Sequence, residues 1–181
     1  MFSLPQPFRL RSIDAADQDF IDALYCSTRD DLVAMAVDET FLAQLIRMQQ
    51  HTHAQGMRSA FPQSQYFLLE RNGAAIGRLV VDTHGDRVHL VELALCPASR
   101  NQGAGSVVLG TLQAMAAQRD VPLTLNVGLA NLAARRLYTK LGFVGIGADA
   151  VQESMQWSAC ASRAPAPISH CTANPDLINT D

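Results

Sequence analysis

The sequence predicts one α/β (α+β) domain: a mixed, mostly antiparallel sheet of about seven strands flanked by about four helices. Two observations carry this. The apolar patterns run in the order strand, two helices, three strands, helix, strand, helix, two strands. Asn72-Gly73 sits between two strand-like runs, and that dipeptide closes antiparallel hairpins, whereas the later helices lie between strands and supply crossovers that allow parallel neighbours.

Taken in order, Phe8 to Ile13 alternates as a first strand. Asp14 can cap a helix running to about Arg29, with Phe20, Ile21, Leu24 and Tyr25 on its apolar face. A second helix is expected from near Asp38 to about Gly56, with Phe41, Leu45, Ile46 and Met48 as its apolar positions and Pro62 beyond its end. The runs "QYFLLER" and "AAIGRLVVD" flank the hairpin dipeptide, Asp82 to Asp86 make a second polar turn, and "RVHLVELAL" is the third strand of the meander. A helix follows from about Ala104 to Arg119, with Val108, Leu112 and Met115 at i, i+4 and i+7. Pro122 introduces the strand "LTLNV", Asn131 opens a short helix that stops at Gly142, and Phe143–Gly147 and Val151–Trp157 close the sheet. Beyond that the chain turns to prolines and small polar residues without periodicity, so residues 1–158 are read as the domain and 159–181 as a flexible C-terminal tail. There are no internal repeats.

The bulk composition narrows the function classes. Hydrophobic residues make up 48% of the 181 and charged residues 17%, enough apolar material for one core. A net charge of −3 argues against a broad nucleic-acid footprint, although backbone dipoles can still hold a small anion. Cys26, Cys96, Cys160 and Cys171 show no CxxC spacing, and "MFSLPQPFRLRS" lacks the apolar core of a signal peptide. No run approaches the length of a membrane helix. The expectation is a cytoplasmic protein with no membrane or nucleic-acid partner, and a homodimer stays open.

The stretch "RNQGAG", residues 100–105, stands where a strand gives way to a helix. The first N–H groups of a helix lack intrahelical partners and carry the positive end of the dipole, so a phosphate can settle there if no Cβ atoms intervene. Gly103 and Gly105 remove two such atoms, and Arg100 can add charge at the rim. On these residues alone a plain turn serves equally well. The dinucleotide fingerprint is excluded because Val108 stands where its third small residue belongs, and no Gly-Lys-Ser/Thr exists for a P-loop.

Two separated motifs extend the reading. Arg100, Gly103 and Gly105 fit Gln/Arg-x-x-Gly-x-Gly/Ala, and Asn131, Ala134, Leu137, Tyr138, Leu141, Gly142 and Phe143 fit Asn-x-x-Ala-x-x-Leu-Tyr-x-x-Leu-Gly-Phe. In this order they resemble the GNAT superfamily of acyl-CoA-dependent N-acetyltransferases, over about residues 8 to 158. The resemblance implies an N-acetyltransferase that passes an acetyl group from acetyl-CoA to a primary amine by direct attack. It implies that backbone groups of Asn101, Gln102, Gly103, Ala104, Gly105 and Ser106 hold the pyrophosphate of coenzyme A. The main chain of Leu93, Ala94 and Leu95 would then pair with the pantetheine arm, near Asn131 and Ala134. Asn131 serves equally as a helix N-cap.

The same resemblance makes Tyr138 the acid at the leaving sulfur; a buried aromatic with a satisfied hydroxyl is the other reading of that residue. Deprotonating an alkyl ammonium at neutral pH costs about 4–5 kcal/mol, so a base is useful. Many relatives carry a glutamate five residues before the motif asparagine, but here that position is Asn126. Glu92 and His89 are the substitutes, with a mechanism lacking a dedicated base as the third option. Strand alternation predicts that Glu92 faces opposite to His89, Val91 and Leu93. His51 and His53 lie roughly 200° apart on a helix, poor geometry for a metal, and no metal is expected. Cys96 reads as a small strand-end residue. The acceptor site is expected between the first two helices, the loop from Gly56 to Gln65 and the last strands, with His53 and Arg58 at its mouth. Two other readings remain: a relative that binds acyl-CoA without transfer, and an interaction domain whose glycines only turn the chain.

Overall fold

In a computed structural model the structure describes residues 3–28 and 39–159. The expected tail from Cys160 onward, the expected helix start at Asp38 and the expected helix end at Arg29 lie outside the described residues. Strand β1 (Phe8–Ser12) leads through a 3-10 turn (Ala15–Asp17) into α1 (Gln18–Cys26), and α2 spans Glu39–Ala60. The meander is β2 (Gln65–Arg71), β3 (Ala74–Asp82) and β4 (Val88–Leu95). Then come α3 (Ala104–Gln118), β5 (Leu123–Gly128), α4 (Leu132–Lys140), β6 (Val144–Ala148) and β7 (Gln152–Trp157). They form a seven-stranded sheet in the order β1-β2-β3-β4-β5-β7-β6, antiparallel everywhere except between β4 and β5. The predicted class, order and mixed sheet are those observed.

Local chemistry sets the elements. Asn72 and Gly73 take φ of 51° and 82°, and Arg71 pairs with Ala74, the two-residue hairpin their types predict. Asp14 caps the 3-10 turn rather than α1, in a capping box with Asp17. The Asp17 carboxylate takes two bonds of 2.6 Å from Arg11, which also reaches Glu70, tying β1, β2 and the turn together. Asn131 caps α4 by accepting from the Ala134 N–H at 3.1 Å. Gly142, at φ 84°, ends that helix and turns Phe143 back under Tyr138.

The core lies on the face of the sheet covered by α3 and α4. Leu69, Leu79, Val81, Leu90, Leu123 and Leu125 meet Val108, Leu109, Leu112 and Ala116 there. On the other face Leu68 and Val80, which alternate with those residues, are buried, as are Ile21, Leu24, Ile46 and Met57 of α1 and α2.

Two expectations for α2 fail. The helix does not stop at Gly56 but continues to Ala60, where the approaching Pro62 disfavours further helix. Phe41 and Met48 are not core residues: they are 54% and 61% exposed. Ile46 and Met57 are buried, and with Gln50 and His53 they form the inward stripe at spacings of three and four. Two of its four positions are polar because the stripe borders a cleft, so hydrophobic periodicity placed Ile46 on the buried face but misplaced Phe41 and Met48.

A third expectation also fails. Across β3 and β4, His89 pairs with Asp82 and Leu90 with Val81, but Glu92 pairs with Val80, leaving Val91 as an extra residue. This β-bulge shifts the alternation, so Glu92 and His89 share the α1/α2 face instead of opposing each other. Leu93 returns to the core side, beside Leu79.

Candidate active site

Strands β4 and β5 pair only from Val88–Leu90 to Leu123–Leu125. Past Leu90 they diverge, because β5 continues beside β7 while the bulge turns β4 away. The β4 edge from Val91 to Leu95 is thereby left without a strand neighbour on the β5 side. A cleft of about 900 Å³ opens along it. Its floor is Glu92, Leu93, Ala94 and Leu95; one wall is Arg100, Asn101, Gly103, Gly105 and Ser106, and the other Asn131, Ala133, Ala134, Leu137 and Tyr138. Tyr25, Ser27, Thr28 and His53 close it from the side of α1 and α2.

Most of the predicted site residues therefore meet in one cleft. Gln102, Ala104 and His89 do not line it. The Gln102 side chain turns back to the Ala98 carbonyl and to Arg71, and Ala104 is buried under α3. The Leu95 carbonyl accepts from Arg100 Nε at 3.1 Å, and Arg100 also reaches the Ser27 carbonyl, so this arginine joins the end of β4 to the end of α1.

At the glycine junction Asn101 and Gly103 both hold left-handed φ, 59° and 85°, and no side chain caps α3. Consecutive N–H groups in such a turn point into one concavity, where an anion meets them together with the helix dipole. The two glycines have different physical reasons. Gly103 needs its positive φ, and a Cβ there would project into open space. Gly105 lets α3 and α4 close up, since a Cβ would stand 3.3 Å from Leu137 Cδ2.

Tyr138 stands largely buried on the α4 wall. Burial raises its pKa, so the phenol keeps its proton at neutral pH and can donate it. Opposite lies Glu92, whose carboxylate receives Arg78 Nε at 2.7 Å and faces His53 Nε2 at 3.6 Å. Burial alone would raise the Glu92 pKa, but His53 and Arg78 outweigh it and hold the group below the usual range. His89 is placed differently. It stacks on Phe61 with ring centroids 4.9 Å apart and shares a 2.8 Å bond with Thr124 Oγ1. Desolvation, with Arg87 nearby, lowers its pKa and keeps it neutral. Asn126 accepts from Ser154 Oγ across the β5–β7 pair at 2.8 Å. Burial raises the Cys96 thiol, which leaves it a poor nucleophile.

The family model described as the acetyltransferase (GNAT) family matches residues 26–143. The chain belongs to the GNAT acetyltransferase family. Solved GNAT structures share its fold at low identity. The PaiA N-acetyltransferase of Thermoplasma acidophilum, in complex with coenzyme A, is 15% identical over 83% of this chain and 98% of its own, with a TM-score of 0.60. FdhC, a nucleotide-linked sugar GNAT in its apo form, is 16% identical over 89% of this chain and 92% of its own, at 0.61. The ribosomal-protein-S18-alanine N-acetyltransferase of Escherichia coli is 18% identical over 83% of this chain and 93% of its own, at 0.56. No curated protein was found to match the sequence.

Sequence reasoning did not single out Arg78 at this GNAT site. The signal was an arginine inside the otherwise apolar strand "AAIGRLVVD", a charge that must find a partner once buried. Tyr25, Ser27 and Thr28 carried no comparable signal. Among the described residues no helix is long and apolar enough to cross a membrane, and no group of three or more His, Cys, Asp or Glu is arranged to hold a metal.

Proposed function

We propose that this acetyltransferase moves the acetyl group of acetyl-CoA onto a primary amine by direct attack. The observation that carries the reading is the split between β4 and β5, with Tyr138 on one wall, Glu92 on the floor and His53 on the side of α1 and α2. The exposed edge of Leu93–Leu95 is suited to the amide groups of pantetheine, which would add to the sheet as a strand does. The uncapped start of α3, from Gln102 to Ser106, is suited to the pyrophosphate. Asn131, already bonded to the Ala134 N–H, would brace the wall beside the pantetheine arm.

Glu92 is held as a carboxylate by Arg78, which makes it a weak proton acceptor and a good positioning group. His53, 47% exposed at its side chain, lines both this cleft and a second one between α1 and α2. In our reading His53 takes the proton of the attacking amine, directly or through water, and Glu92 orients the ring. The amine nitrogen attacks the thioester carbonyl, the C–N bond forms, and the tetrahedral oxyanion collapses with cleavage of C–S. Tyr138 gives its proton to the departing thiolate and regains one from solvent, balancing the proton that leaves nitrogen for solvent through His53. His89, stacked under Phe61, holds α2 to the sheet and takes no part.

Thiol release from acetyl-CoA in the presence of amine panels tests this. His53→Gln should lower kcat at least tenfold, with coenzyme A still raising the melting temperature. An unchanged kcat in this variant would remove His53 from the role. Coenzyme A binding without turnover on any amine would instead mark the chain as an acyl-CoA-binding module.

A further inference from the structure

A second cleft, of about 480 Å³, lies between α1, α2 and the sheet and meets the first at His53. Its charge is opposite to that of the chain. The protein carries −3 overall, yet Arg47, Arg58 and Arg78 line this cleft against one carboxylate, Asp22. Asp22 already accepts the side-chain amides of Gln18 and Gln50, and Arg78 is matched by Glu92. Neither Arg47 nor Arg58 has an acidic partner among the described residues.

These two arginines differ in surroundings. The Gln50–Asp22 bond of 2.8 Å brings a carboxylate to α2 one turn beyond Arg47. Arg58 sits eleven residues further along the same helical stripe as Arg47, His51 and Ala54, about 16 Å away along the axis. The cleft wall also includes Tyr66, whose buried hydroxyl has no hydrogen-bond partner among the described residues. His53 and Arg58 are separated by about 7.5 Å along the axis, and the arginine side chain can fold back over that distance.

We propose that the acceptor amine carries a carboxylate, with its nitrogen at His53 and its carboxylate on the Arg58 guanidinium. This rests on the reading of the first cleft as the acetyl-CoA site. A guanidinium meets a carboxylate with two parallel N–H bonds, so Arg58 fixes both the charge and the orientation of the acceptor. Cationic acceptors such as diamines find no unengaged carboxylate among the described residues of the cleft lining, so the site discriminates against them.

The test is a ladder of acceptors: glycine, β-alanine, 4-aminobutyrate and 6-aminohexanoate, each against its carboxamide and against the diamine of like length. Initial rates of thiol release from acetyl-CoA are read for each. One rung should exceed its amide in kcat/KM by about 10- to 100-fold, the range of a charge-assisted bond. Arg58→Gln should raise KM for that acid about tenfold or more and erase the preference, leaving KM for acetyl-CoA unchanged, and Arg58→Lys should recover part of it. Melting temperature gives a second readout with coenzyme A present. The N-acetyl form of the preferred acid, or of every rung if none turns over, should raise it in the native protein and not in Arg58→Gln. Equal use of acids and amides, a preference for diamines, or no shift with any N-acetyl acid overturns the proposal. The donor reading stands or falls separately, on whether coenzyme A alone raises the melting temperature and whether any amine at all is acetylated.

Discussion

Replacing Glu92 by glutamine should cost the fold more than any surface change, and the cost can be worked from its two partners. The side chains of Arg78 and Glu92 are 11% and 19% exposed, so their pair is largely removed from water. Removing one member of a buried pair costs about 3–5 kcal/mol, chiefly because the other charge is left uncompensated. Residual exposure and the oxygen that glutamine keeps reduce this to about 2–3 kcal/mol. For a chain of this size each kcal/mol moves the melting temperature by about 2–4 °C, so a fall of about 4–12 °C is expected. Urea unfolding followed by the fluorescence of Trp157, the single tryptophan, measures it. The paired change Arg78→Met with Glu92→Leu should recover most of the loss, giving a coupling of at least about 1.5 kcal/mol in the double-mutant cycle. The pH dependence has a definite sign. The folded pKa of Glu92 is lowered, so its stabilisation is present above the unfolded carboxylate value of about 4.3 and fades as pH falls through the lower folded value. The deficit of Glu92→Gln should therefore shrink in acid. A variant within about 0.5 kcal/mol of the native protein, with an additive cycle, would refute the buried pair.

Three further outcomes are expected. Tyr138→Phe should lower kcat by about 10²- to 10⁴-fold while coenzyme A still raises the melting temperature, since only the proton donor is lost. Gly103→Ala should destabilise by about 1–2 kcal/mol, because an L side chain must hold φ 85°, and should weaken coenzyme A binding in a calorimetric titration. Arg11, with the Asp14 N–H, holds Asp17 at a folded pKa of about 2, so the stability it contributes is present above the unfolded value and lost as pH falls towards 2. Arg11→Gln should flatten that part of the acid unfolding profile, read by circular dichroism.

The order of elements was legible because each signal was local. Asn72-Gly73, Asp14, Asn131 and Gly142 act through their own φ or their own side-chain oxygen, and all four do in the structure what their types imply. That so many of the singled-out residues line one cleft has a related reason, as its walls are two short segments with fixed spacing. The inward face of α2 was legible only in part, because a helix bordering a cleft carries Gln50 and His53 where periodicity looks for apolar residues. The side to which Glu92 points was hidden by Val91. A one-residue bulge leaves no mark in a run such as "VHLVELAL", yet it reverses the face of every residue after it.

That bulge is also what allows one strand to serve two compartments. Up to Leu90, β4 is an ordinary core strand, paired on both edges. Had the alternation continued unbroken, Glu92 would point into the apolar layer beneath α3, with no cation to meet it. The extra residue turns Glu92 towards Arg78 and His53, returns Leu93 to the core, and helps to steer the strand away from β5. A charged group, an apolar anchor and an open backbone edge then follow one another in four residues. Deleting Val91 separates these effects. Leu90, Glu92 and Leu93 then alternate without a bulge, so Glu92 still faces Arg78 and Leu93 still enters the core. What is lost is the bend that steers β4 away from β5, so the open edge of Leu93–Leu95 should close. Coenzyme A binding should accordingly fall in this variant while the Arg78–Glu92 pair is kept, whereas Glu92→Gln should lose stability and keep coenzyme A binding; undiminished coenzyme A binding in the deletion would remove the bulge from this role.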